Sequence, residues 1–160
     1  MSLSSPHPIF TTCGSSPFET RKSTIQARFL TGRAMIETLT RYWDKNNPEG
    51  YCLLCKHIDP AEGDIKHFLL PGGCPLLADA RQFMFSMTNS FLVSRPHLLP
   101  LFMEYWDNDD TAVQLLLDCS VLPSVIAAQQ SRKDVLDDIF YITRTYVLKI
   151  YLTRRKLLAL

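Results

Sequence analysis

Residues 134–158 read DVLDDIFYITRTYVLKIYLTRRKLL, and this stretch decides the fold class. Val135, Leu136, Ile139, Phe140, Thr143, Tyr146, Val147, Ile150 and Tyr151 recur at helical spacing and form one continuous stripe. Asp134, Asp137 and Asp138 stand at its start and Arg154, Arg155 and Lys156 at its end, as the helix dipole favours. The stripe is aromatic as well as aliphatic, which fits core packing better than a ligand surface.

Shorter helical pieces lie upstream. Leu122-Pro123-Ser124 opens a helix expected to reach Gln130, and Asp109 or Asp110 caps one expected through Leu117. Ser94 is the expected cap of a helix that starts near Pro96 and ends at Tyr105 or Trp106. Pro75 suits the first turn of a longer helix carrying Leu76, Leu77, Ala80, Phe83, Met84, Met87 and Phe91, because its missing N–H has no helical partner there anyway. A further helix is expected from about Thr24 to Trp43 on Ile25, Phe29, Leu30, Ala34, Met35, Leu39 and Trp43. Asn46, Asn47, Pro48 and Gly50 then break it. The Ser- and Pro-rich start lacks such periodicity and reads as disordered, with Cys13 inside it a free thiol and His7 without a partner.

Between the helices lies the one constellation with a specific chemistry. Cys52, Cys55, His67 and Cys74 fall within GYCLLCKHIDPAEGDIKHFLLPGGCPLL, residues 50–77. Three thiolates and an imidazole make the soft donor set that zinc takes tetrahedrally, and four protein ligands make a closed, structural site. Cys-x2-Cys supplies two sulfurs from one turn, and the N–H groups of Lys56 and His57 are expected to support them. A short helical turn is expected at Asp64 to Leu70, after which Pro71-Gly72-Gly73 swings the chain back to deliver Cys74. His57 is the rival ligand, but only one residue separates it from Cys55, which crowds the turn. A thiol cluster without metal is the plainer alternative.

The overall expectation is a mainly α, irregular helical domain with a small zinc-stapled loop and a disordered N-terminus. It divides into a lead-in at 1–22, a basic amphipathic helix at 23–47, a metal loop resembling a Cys-Cys-His-Cys zinc knuckle at 48–80, and a helical tail at 81–160.

Bulk properties narrow the function. A net charge of +1 gives no whole-molecule pull toward nucleic acid or membrane, so any such preference must come from local asymmetry. Two stretches are basic. Arg21 to Lys45 holds six cations against Glu37 and Asp44, and Arg144 onward holds no acid. No signal peptide is visible, and no apolar run is long enough to span a bilayer. An intracellular location, cytoplasm or nucleus, is expected, and there Cys-x2-Cys points to metal rather than to a disulfide. The chain has no glycine-rich phosphate loop and no Gly-x-Ser-x-Gly. The acids of Asp107-Asn108-Asp109-Asp110 read as a capped acidic loop. No catalytic residues are expected.

Taken in order, the residues 27–55 (ARFLTGRAMIETLTRYWDKNNPEGYCLLC), 64–81 (DIKHFLLPGGCPLLADAR), 115–126 (LLLDCSVLPSVI) and 137–158 resemble the C-terminal region of LINE-type (non-LTR) retrotransposon polyproteins, downstream of the reverse transcriptase domain. The resemblance spans roughly Gln26 to Leu160. It implies Cys52, Cys55, His67 and Cys74 as zinc ligands, with Gly72-Gly73 a lengthening of the family's usual His-to-Cys spacing. It implies RNA or DNA as partner, together with a separate polymerase domain of a parent polyprotein. The catalytic motifs of polymerase and endonuclease are absent from these 160 residues. On this reading the phosphate contacts fall to Arg28, Arg33, Lys56, Lys66 and Arg81, and binding is steeply salt-dependent. The competing reading is a helical protein-interaction or structural domain with no nucleic-acid role, including a decayed remnant of such an element.

Overall fold

The computed structural model describes residues 7–11, 16–31, 45–56 and 64–159. Among them the helices are α1 (Pro8–Thr11), α2 (Pro17–Leu30), α3 (Asp64–Leu69), α4 (Ala78–Val93), α5 (Leu99–Trp106), α6 (Asp109–Asp118), α7 (Pro123–Ser131) and α8 (Val135–Leu158). Single 3-10 turns at Pro75–Leu77, Pro96–Leu98 and Cys119–Val121 lead into or out of them, and no strand occurs among the described residues. The mainly helical fold class follows.

The stretch that opened the sequence reading is the axis of the molecule. α8 is 24 residues long, about 36 Å at 1.5 Å per residue, and α2, α4, α6 and α7 all pack against it. Its burial exceeds the apolar stripe: Ile142, Arg144, Leu148 and Arg154 are buried as well. Neighbours on several sides narrow its solvent face to a strip that holds Asp137, Tyr141, Lys149 and Arg155, and two arginines go inside.

Two apolar clusters sit along that axis. The first half of α8 contributes Val135, Ile139 and Phe140 to one, with Ile9, Leu98, Phe102, Leu115 and Val125. The second half contributes Tyr146, Val147, Ile150 and Tyr151 to the other, with Phe29, Phe68, Leu69, Leu77 and Met84. The second cluster contains Cys52 and Cys74. The metal loop is therefore built into the main core and is not a separate knuckle hung from it.

Buried cations in this core are satisfied locally. Arg144 Nε donates to Phe140 O at 2.9 Å and Nη1 to Ser23 Oγ at 2.8 Å. Lys22 is buried against Glu19 at 2.7 Å and lies over the Phe18 and Tyr141 rings. The basic stretches are thus only partly solvated faces, because each long apolar stem gains more from burial when its charged head has a fixed acceptor.

The N-terminal part departs from the expectation of a disordered 1–22 in the residues described. α2 begins at Pro17, with the Ser16 side chain accepting from Glu19 N–H, so the lead-in ends earlier. The Pro8–Thr11 turn inserts Ile9 into the core, and His7 Nε2 pairs with Asp118 Oδ2 at 3.0 Å, where no partner was expected. Residues 32–44, which hold the second half of the helix expected to reach Trp43, lie outside the described residues, as does Cys13. Two caps also differ. Asn108, not Asp109 or Asp110, caps α6 through Oδ1. Ser94 closes α4 by donating to Phe91 O and does not open the next helix. The expected boundary between 80 and 81 falls inside α4. No single described helix is long and apolar enough to cross a membrane.

Candidate metal centre

Each half of the centre comes from a turn that the local sequence forces. Asn47 locks the first: its Nδ2 donates to Tyr51 O at 2.6 Å and its Oδ1 accepts from Tyr51 N–H at 3.0 Å. Gly50 takes φ 76, a left-handed value that costs glycine little. Cys52 to Cys55 then form a tight turn closed by Lys56 N–H donating to Cys52 O at 2.8 Å. That closure holds Lys56 at φ 59, in the left-handed region that a side chain disfavours.

α3 and the Pro71-Gly72-Gly73 turn build the second half. The chain leaves α3 and doubles back so that Cys74 N–H donates to His67 O at 2.8 Å. Gly72 sits at φ +81, and a Cβ on Gly73 would lie 2.1 Å from His67 O. Gly73 is required by this return and Gly72 eases it, which is the role the sequence suggested for the pair. Two side chains missed as part of the site hold it from outside. Arg81 donates from Nη2 to Cys74 O at 2.5 Å and from Nη1 to Phe68 O at 3.3 Å, and Tyr146 Oη donates to Leu69 O at 2.7 Å.

The two turns bring one donor atom each from Cys52, Cys55, His67 and Cys74 to within 4.8 Å of one another. Cys52 Sγ lies 3.9 Å from Cys74 Sγ, and Cys55 Sγ lies 3.3 Å from His67 Nε2. A tetrahedral zinc with sulfur at about 2.3 Å and nitrogen at about 2.0 Å needs S···S edges of about 3.8 Å and S···N edges of about 3.5 Å. The Cys52–Cys74 and Cys55–His67 edges come within a few tenths of an ångström of those values, and all four donors lie within 4.8 Å of one another.

Electrostatics agree with that use. Cys52 and Cys74 are buried, and burial pushes the Cys52 thiol up to about 12 and raises that of Cys74. Backbone N–H groups work the other way. Those of Leu54 and Cys55 reach Cys52 and that of Leu76 reaches Cys74, favouring thiolate. The Lys56 N–H closes the turn on the Cys52 carbonyl, and His57, the other donor expected, lies outside the described residues. A pocket that buries its thiols yet aims N–H groups at them suits thiolates neutralised by a divalent cation. Four protein donors are the number that a closed tetrahedral zinc shell takes.

The residues expected to touch phosphate are not gathered here. Arg28 and Lys56 are exposed, and Arg33 lies outside the described residues. Lys66 pairs with Asp110 at 2.7 Å. Arg81 is a correction: at 5% exposure it faces inward and braces the backbone of the metal loop. A guanidinium in reach of two carbonyls left over by the α3 exit is held there, in the wall of the cleft it lines with Phe85 and Trp106. A second grouping, His97 with Asp134 and Asp138, is less suited to a metal, since Arg132 takes Asp134 and Arg95 takes Asp138 at 2.9 Å each. Cys119 is fully buried in the other apolar cluster, and burial pushes its thiol far up.

Fold and site together define a mainly helical domain whose cluster of three cysteines and one histidine can hold a metal ion. Comparison of the chain with protein-family models, with curated proteins and with solved structures returns no match. The likeness to retrotransposon C-terminal regions accordingly rests on the motif residues alone.

Proposed function

We propose that this chain is a non-catalytic, zinc-stapled helical module that works by docking another protein. The observation that carries the reading is the convergence of Cys52, Cys55, His67 and Cys74 to within 4.8 Å of one another, with Cys52 and Cys74 inside the main core. A closed set fastens two chain segments and offers a reactant no coordination position. Zinc is the metal the donors favour, since thiolate and imidazole in a tetrahedron suit it better than magnesium or calcium.

Docking of a protein is preferred to a grip on RNA or DNA because of where the cations are. Arg81, Arg144, Arg154 and Lys22 are buried, and Lys66 is paired with an aspartate. A phosphate track needs such charges in water-facing rows.

Metal analysis of the purified protein tests the staple. One zinc per chain is expected, and Cys74→Ser loses it together with cooperative unfolding. Full zinc retention in Cys74→Ser would overturn the ligand set. Titration with fluorescent RNA and DNA at low salt tests the partner class: no saturable binding is expected, and tight binding that weakens steeply with salt would restore the nucleic-acid reading.

A further inference from the structure

The four donors of the metal centre are unequally placed. Cys52 and Cys74 are buried in the main core, with their sulfurs 3.9 Å apart. Cys55 and His67 are only half-buried, with Cys55 Sγ 3.3 Å from His67 Nε2. His67 also lines a polar cleft of about 400 Å³ beside Lys66, Gly72 and Asp109. One edge of the donor set therefore faces the core and the opposite edge faces water. Cys55 is the sulfur on the water-facing edge.

The turns that carry the sulfurs are also unequally braced. Cys74 is fixed on both sides: its N–H donates to His67 O at 2.8 Å, and its carbonyl accepts from Arg81 Nη2 and, at 3.0 Å, from Leu77 N–H. The Cys52–Cys55 turn is closed by Lys56 N–H on Cys52 O, which holds Lys56 at φ 59, a conformation its side chain disfavours. Cys52 and Cys55 sit three residues apart in that turn, and their sulfurs already lie within 4.8 Å of each other. A bond between them closes inside the turn and asks nothing of α3. A bond from Cys55 to Cys74 would instead pull against the contacts that fix Cys74.

We infer that the centre is a peroxide-sensitive fastener: a hydroperoxide oxidises Cys55 from the water-facing edge, Cys52 closes a disulfide with it, and the two chain segments are unfastened as the metal is lost. Coordination keeps both sulfurs as thiolates, the nucleophilic form. Cys55 Sγ attacks one oxygen of hydrogen peroxide; the S–O bond forms, the O–O bond breaks, and the other oxygen leaves as hydroxide. Cys55 is then a sulfenic acid. Cys52 Sγ displaces its oxygen; the S–S bond forms, the S–O bond breaks, and a second hydroxide leaves. Two protons from solvent turn both hydroxides into water, and the two sulfurs have given two electrons to the peroxide. A disulfide no longer offers the thiolate that binds metal. The oxidised chain therefore keeps only His67 and Cys74, and the metal's contribution to folding goes with the lost pair. The inference rests on the zinc-staple reading and adds the regulation of that site.

The test treats the full-length, zinc-loaded protein with hydrogen peroxide, follows released zinc with a coloured chelator, and maps disulfides by peptide mass spectrometry after free thiols are blocked. Zinc release is expected in step with a Cys52–Cys55 disulfide and a lowered urea midpoint, and dithiothreitol with added zinc should restore both. Cys119, fully buried in the other apolar cluster, is expected to stay reduced. Cys55→His keeps a metal ligand at the water-facing position and removes the sulfur that meets the oxidant, so its zinc release should be about tenfold slower or more. The wild-type disulfide map carries the test whether or not that variant folds. A protein that holds no zinc before peroxide refutes the staple and the switch together. Zinc retained through the treatment, or released without a disulfide, overturns the switch and leaves the staple standing. A Cys55–Cys74 disulfide also overturns it, because that bond would tie the two segments together.

Discussion

Gly72 and Gly73 stand side by side in one turn, and alanine at the two positions should have very different consequences. At Gly72 the backbone has φ +81 with nothing within 4 Å of an added Cβ. The substitution therefore meets only the left-handed penalty, about 1–2 kcal/mol. At Gly73 the added carbon would lie 2.1 Å from His67 O and 2.7 Å from His67 C, both backbone atoms. Relief to ordinary contact needs a shift of about 1 Å, and a carbonyl at the end of a packed helix cannot supply it without moving a close-packed core. The same oxygen accepts from Cys74 N–H at 2.8 Å, so the movement breaks that bond and carries His67 away from Cys74. Loss of the bond alone is worth about 1 kcal/mol, and displaced ligands add the metal contribution to stability. Gly73→Ala should therefore lose about 3 kcal/mol or more and most of its zinc, whereas Gly72→Ala stays folded with its zinc bound. Urea unfolding with and without a strong chelator, alongside zinc content, measures both. Equal effects of the two substitutions, or wild-type zinc affinity in Gly73→Ala, would refute the account of the turn.

Removing the Tyr146 hydroxyl in Tyr146→Phe strips the Leu69 carbonyl of a buried donor at 2.7 Å, so a loss of about 1–2 kcal/mol is expected by denaturant titration. Ser16→Ala removes the cap on Glu19 N–H and should lower stability by about 1 kcal/mol without touching zinc content. Lys56 sits at φ 59, and Lys56→Gly should therefore be neutral or stabilising by up to about 1 kcal/mol; a clear destabilisation would mean its side chain matters more than its backbone. Arg81→Met empties the bracket on the Cys74 and Phe68 carbonyls and should destabilise by about 2 kcal/mol or more. If it instead weakened RNA binding while leaving the unfolding curve in place, the inward role given to Arg81 would be wrong.

Much of the helical fold was legible because local signals agreed with tertiary demand. The α8 stripe, the Pro75, Pro96 and Pro123 starts and the short Asp64 helix all stand where periodicity and proline put them. The misreadings share a cause. Ser16-Pro17-Phe18-Glu19 is a capping signature with proline at N1, yet the surrounding serines and prolines make it look like low-complexity chain. Ile9 gave no periodic signal because a single helical turn has no period to show; its burial is decided by a cavity lined by residues more than eighty positions away. Asp109 and Asp110 drew attention as caps, although Asn108 one position earlier has the extended backbone that a cap needs.

The donor set of the metal centre was readable from residue type and spacing, since Cys-x2-Cys and the two glycines serve the geometry in the local chain. Its support was not. Arg81 looked like a member of a basic surface because sequence records charge and not direction. What turns it inward is the pair of carbonyls that α3 and the Cys74 turn leave without helical partners, one of them 13 residues before it and the other seven. The same holds for Arg144, which answers the Phe140 carbonyl and Ser23. In a chain whose longest helix is surrounded on several sides, cations are drawn inside wherever an exposed carbonyl or hydroxyl waits in the core, and a basic run then reports on packing. Charge asymmetry supports a nucleic-acid partner only after the buried cations have been set aside. Here that step removes Lys22, Arg81, Arg144 and Arg154 and leaves Arg28, Lys56, Lys149, Arg155 and Lys156 at the surface as the cations whose contribution the salt titration reads.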